Sequence, residues 1–155
     1  MTLKNRISPS GPLAEELLGP FPGANLLVTA TTAYLAVGEL AASTTESDGQ
    51  AGIPETGRLT KFTSQNVVAG AAPSFAITYN VRKNGVLIPG KTVATTNVAT
   101  DPVEIDLSDV DVLGPDVGQT QDLISVEVVT AAFGGGTSPV VRSSLLWQPG
   151  GSGLN

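Results

Sequence analysis

The 155-residue chain contains no cysteine and no histidine, and only 14% of its residues are charged. Without Cys there is no disulfide framework, no thiolate nucleophile and no cysteine zinc site. Without His there is no Ser-His-Asp or Cys-His arrangement, no imidazole base and no histidine metal ligand. Long apolar runs are also missing, since a bilayer-crossing helix needs roughly 20 such residues. Near the start, Lys4 and Arg6 are followed by Pro9, Gly11, Pro12, Glu15 and Glu16, which is no signal-peptide core. A soluble chain, not exported through a cleaved signal, is expected.

Positive charge is scarce. Eight Lys and Arg against fourteen Asp and Glu leave a net charge of -6. A nucleic-acid binder needs a basic face to neutralise phosphates, and no Lys/Arg cluster exists. Anionic membrane surfaces are disfavoured for the same reason. Neither partner is expected, nor any cofactor, and the exclusions argue against an enzyme.

What is abundant is Gly, Pro, Thr and Ser. Residues 1–25 hold four prolines and three glycines, and also Leu3, Ile7, Leu13, Leu17, Leu18 and Phe21. Only Leu13 to Leu18 has room for a helical turn, with Pro12 near its start and Gly19 after its end. The segment reads as an extended N-terminal arm, either floppy or ordered when those apolar residues dock on a partner. The remainder divides into a β domain, 26–148, and a flexible tail, 149–155.

From Leu26 onward the pattern is β, with no sustained 3.6-residue period. Leu26 to Val37 supplies one long strand or two short ones, Ser43 to Gly57 is a polar loop, and Arg58 to Val68 is a strand. Phe75, Ile77, Tyr79 and Val81 alternate with polar or small residues, so one face of that strand lies on a core. Asn84-Gly85 marks a type I′ hairpin turn. The return strand from Val86 carries Pro89-Gly90, which suggests a bulge or a sheet edge. Further strands centre on Val103–Leu107, Ile124–Val128 and Val140–Trp147. About eight strands at this spacing predict an all-β fold, an antiparallel jelly-roll sandwich.

Seven of the fourteen carboxylates fall between Asp101 and Asp122. Oxygen-rich loops bind hard cations, which makes Asp106, Asp109, Asp111 and Asp116 calcium candidates. Their spacing matches an EF-hand poorly, and a solvated acidic edge that discourages strand pairing explains them better. Paired carboxylates also serve glycoside hydrolysis, but aromatic platforms for sugar rings are few. Trp147 is read either as an interface anchor or as a plug for the open end of the sandwich. Gly134 to Gly136 lacks the context of a phosphate cradle and reads as a hairpin loop.

The span from Leu59 to Trp147 resembles a module found in phage virion proteins. The likeness rests on the strand Phe75-Ala76-Ile77-Thr78-Tyr79-Asn80-Val81-Arg82-Lys83, on Asn84-Gly85-Val86, and on Asp122-Leu123-Ile124-Ser125-Val126-Glu127-Val128. Gly118-Gln119-Thr120-Gln121 precedes Asp122, so the Gly-Asp pair of that module is missing. The span is similar to trimeric, tumour-necrosis-factor-like jelly rolls that serve as capsid decoration (cement) proteins and tail-fibre tips. The resemblance implies a structural virion protein on the outer capsid surface, made in the host cytoplasm. It implies a homotrimer that bridges neighbouring major capsid protein subunits, the arm lying across the seam. The alternative it implies is a receptor- or glycan-binding tip of a tail fibre or baseplate.

Overall fold

The computed structural model describes residues 15–25, 31–39, 41–115, 119–131 and 135–150. Ten strands follow in order: β1 Glu16–Asn25, β2 Thr31–Tyr34, β3 Ala51–Gly52, β4 Gly57–Val68, β5 Ala76–Lys83, β6 Val86–Thr96, β7 Val103–Asp106, β8 Asp111–Val112, β9 Leu123–Thr130 and β10 Val140–Pro149. One 3₁₀ turn, Glu46–Gly49, precedes β3. Two antiparallel sheets result. The first runs β1-β10-β4-β7 with β8 also on β4, the second β2-β9-β5-β6 with β3 also on β9. Setting aside the two-residue strands, the remaining eight lie in the orders first-eighth-third-sixth and second-seventh-fourth-fifth. That order is a jelly roll.

Local chemistry explains most elements. Ile77, Tyr79 and Val81 of β5 are buried, as their alternation requires. Asn84 and Gly85 have φ of 53° and 79°, the positive pair that a type I′ turn demands. In β6 the residues between Leu87 and Thr92 face Val81 alone, and Gly90 at φ 76° shapes this bulge on an edge strand. Trp147, Tyr79, Phe21 and Phe62 are the largest fully buried side chains. The rings of Phe62 (β4) and Tyr79 (β5) lie 5.5 Å apart at 50°, tying one sheet to the other.

The first strand differs from expectation. Glu16–Asn25 is an extended segment, but it is paired along β10 as the outer strand of the first sheet, and Leu17 and Leu18 form no helical turn. Bulges accommodate its irregular composition: Leu18 is the extra residue between Leu17 and Gly19, and Pro22-Gly23 sits opposite Arg142. Pro20 has no N–H to offer, so only an edge position suits it. Its carbonyl accepts a bond from the Gly38 N–H at 2.9 Å, which caps the outer edge at that point. Phe21 and Ala24 are buried in the core. The sandwich therefore begins at Glu16 rather than at 26, and β10 carries it to Pro149. Residues 1–14, 26–30 and 151–155, which include Leu3, Ile7 and Leu13, lie outside the described residues.

Two buried amides close one end. Asn97 accepts from the Phe75 N–H (2.9 Å) and donates to the carbonyls of Ala71 (2.9 Å) and Thr137 (3.0 Å). Asn66 donates to the carbonyls of Thr96 (2.8 Å) and Ala99 (2.5 Å). Buried loop backbone needs such partners, and these side chains supply them.

Tyr79 brings a hydroxyl into the core. Burial raises its pKa to about 12, with Ser64 offsetting part of the rise, yet no described group reaches hydrogen-bond geometry to the hydroxyl. A buried hydroxyl without a partner costs stability. Tyr79→Phe is therefore expected to leave urea stability unchanged or raise it by up to about 1 kcal/mol. A loss of more than about 1 kcal/mol would instead mean that the hydroxyl has a partner in solution.

Candidate functional site

Three clusters of polar or charged side chains stand out on this scaffold. The first covers the outer face of the second sheet. Arg82 of β5 donates through Nε to Glu46 (2.9 Å), through Nη1 to Glu127 (2.9 Å) and through Nη2 to the Gly85 carbonyl. Glu46 also accepts from Ser125 (2.7 Å), Glu127 accepts from Asn80 (2.7 Å), and the Asn80 oxygen accepts from Thr92 (2.7 Å). The guanidinium lies 6.0 Å from the Tyr34 ring centroid. Burial works against the charged guanidinium, but the Glu46 hydrogen bond and the two carboxylate charges outweigh it and hold its pKa above the ordinary value. Both carboxylates face the same fixed cation. The cluster fastens the 3₁₀ turn onto the sheet.

The second cluster is the acidic stretch, which the fold disperses. Asp109 pairs with Lys91, which also donates to the Asp106 carbonyl. Asp111 pairs with Arg58 at 3.0 Å, and Glu104 with Lys61 at 3.7 Å. The Asp106 carboxylate turns back onto Ser108, whose side chain and N–H hold its pKa below the usual range. Asp109 is likewise lowered, first by its bond from Lys91. Among the described residues no three acidic side chains gather as a cation site. Asp106, Asp109 and Asp111 thus face separate partners, and Asp116 lies outside the described residues.

Asp122, also in that stretch, is only 5% exposed. It accepts from Asn84 (2.7 Å) and the Leu113 N–H (2.8 Å), with Lys83 at 3.2 Å, and so locks the β5–β6 turn to the chain between β8 and β9. Burial pushes its pKa up, but these three donors push it further down, leaving it below the usual carboxylate range.

The third cluster is a groove of about 420 Å³ on the outer face of the first sheet. Leu17, Pro20 and Pro22 of β1, Val67 of β4 and Pro102 form its apolar walls, and Thr63, Gln65, Arg142 and Ser144 add polar groups. Thr63 and Ser144, paired across β4 and β10, share a 2.8 Å hydroxyl bond. Leu17 is 52% exposed, whereas Phe21, which also borders the groove, is 1% exposed and Leu18 packs against the core. Of the apolar arm residues in the described range, only Leu17 is exposed. Trp147 is 2% exposed and points inward from β10, so it fills the sandwich instead of anchoring an interface. Sequence reasoning passed over Arg142, although the alternation from Val141 to Trp147 already sets it on the face opposite Trp147.

The stability that Asp122 adds should be fully present above the unfolded carboxylate pKa near 3.9 and vanish as pH falls through the lower folded value. Asp122→Asn is expected to cost about 1–3 kcal/mol in urea unfolding at pH 7. That cost should shrink toward zero in strong acid, and a pH-independent difference would contradict the reading.

No protein-family model, no curated protein and no solved structure matches the chain.

Proposed function

We propose that this chain is a structural virion protein that binds the outside of a phage capsid as a homotrimer and bridges neighbouring major capsid subunits. The observation that carries the reading is the place of β1. It is the outer strand of the first sheet, and Leu17 near its start borders an exposed apolar groove. A segment attached there is suited to reach a neighbouring surface without disturbing the core. Extended segments lose conformational entropy on docking, so a single arm binds weakly. Three arms on one trimer act together and gain avidity without new contacts.

The side-chain chemistry favours binding over catalysis. Glu46 and Glu127 face Arg82, Asp109 faces Lys91, and no thiol or imidazole is present in the sequence. A receptor- or glycan-binding tip is the competing reading. Against it, the groove has no exposed aromatic platform, since Phe21 is buried.

Two truncations separate arm from domain. Removal of residues 1–14 should abolish binding to purified empty capsids of the phage that encodes the chain, while the circular dichroism and unfolding curve stay close to those of the full chain. Removal of residues 1–25 should also lower stability by more than about 3 kcal/mol, because Phe21 leaves the core. Capsid binding that survives the shorter truncation would sink the arm reading.

A further inference from the structure

Six basic side chains lie in the described residues, and five face a carboxylate: Arg58, Lys61, Arg82, Lys83 and Lys91. Among the described residues Arg142 alone faces none, and it stands in the groove on the outer face of the first sheet. In a chain of net charge -6, this leaves an exposed guanidinium beside apolar walls with no carboxylate against it among the described residues.

We propose that this groove docks an extended peptide segment of a partner protein, bearing one carboxylate between small apolar residues, with the carboxylate on the Arg142 guanidinium. Arginine presents a planar fork that receives a carboxylate through two parallel bonds. The surrounding walls suit the flanking residues. Pro20, Pro22 and Pro102 are rigid, so little side-chain entropy is lost when they are covered. From Leu17 to Pro22 the wall extends over about 17 Å at the rise of a strand, the length of some five extended peptide residues.

Polar groups on the floor suit a peptide backbone. Thr63 and Ser144 share one hydroxyl proton between them, which leaves the other free to donate to a peptide carbonyl. Gln65, with its nitrogen held by the Thr100 carbonyl at 3.0 Å, keeps its amide oxygen for a peptide N–H. The outer edge of β1 is not the docking element, because Pro20 withholds a donor there and its carbonyl already accepts from Gly38. Recognition thus falls to the sheet face. This contact stands or falls apart from the capsid reading.

The test titrates the isotopically labelled full chain with acetyl-Ala-Val-Asp-Val-Ala-amide, and with counterparts carrying Asn or Lys at the centre, while amide NMR shifts are followed. The aspartyl peptide should shift the amides of Leu17, Thr63, Val67 and Arg142 saturably, and bind at least ~10-fold more tightly than either counterpart. Arg142→Gln should erase that preference. Arg142 is exposed, so the variant's spectrum should otherwise be unchanged. Equal binding of the three peptides, shifts confined to other surfaces, or no saturable shift at millimolar peptide would each overturn the proposal. So would an unchanged preference in R142Q.

Discussion

The alternation of a single strand, β10, is the constraint on which the rest of the molecule depends. It lies between β1 and β4, and its inward row, Val141, Ser143, Leu145 and Trp147, is buried. Its outward row contains Arg142 and Ser144, which help form the groove. A slip of one residue would exchange these rows, placing a guanidinium in the core and an indole in water. The core, the docking of β1 and the character of the outer face therefore share one register. Pairing on both sides of β10 fixes that register, and the irregularities of β1 are absorbed as bulges.

Much of this was legible in the sequence where side-chain period and turn chemistry agree. The strand around Tyr79, the Asn84-Gly85 turn and the span from Val140 to Trp147 follow from alternation and from positive φ. The strand Glu16–Asn25 was not, because Pro20, Pro22 and Gly23 are breakers in a central strand and acceptable only at an edge. Such breakers read equally well as an arm outside any sheet, and only the folded sheet decides between the two. The two-residue strands β3 and β8 are too short to carry a period. The groove was hidden for the same reason as β1, since it joins side chains from Leu17 to Ser144 that only the folded order brings together.

The sparse charges act as local fasteners. Lys83, Asn84 and Asp122 pin the β5–β6 turn, and Arg82 with Glu46 and Glu127 pins the 3₁₀ turn. Lys91 and Arg58 answer the acidic stretch one carboxylate at a time. Exposed pairs of this kind each contribute little, about 0–1 kcal/mol. The half-buried Arg82 pairs and the buried Asp122 matter more, because losing one partner would strand the other away from water.

The central claim is that residues 16–25 belong to the sandwich and that any arm begins before them. Amide hydrogen exchange on the full chain tests it directly, because opening energies distinguish core strands from loosely held segments. Protection in β1 is expected to approach that of β10 and to be lost with it on global unfolding. Rapid exchange throughout Glu16–Asn25, while β10 and β4 stay protected, would contradict the claim and return that segment to the arm.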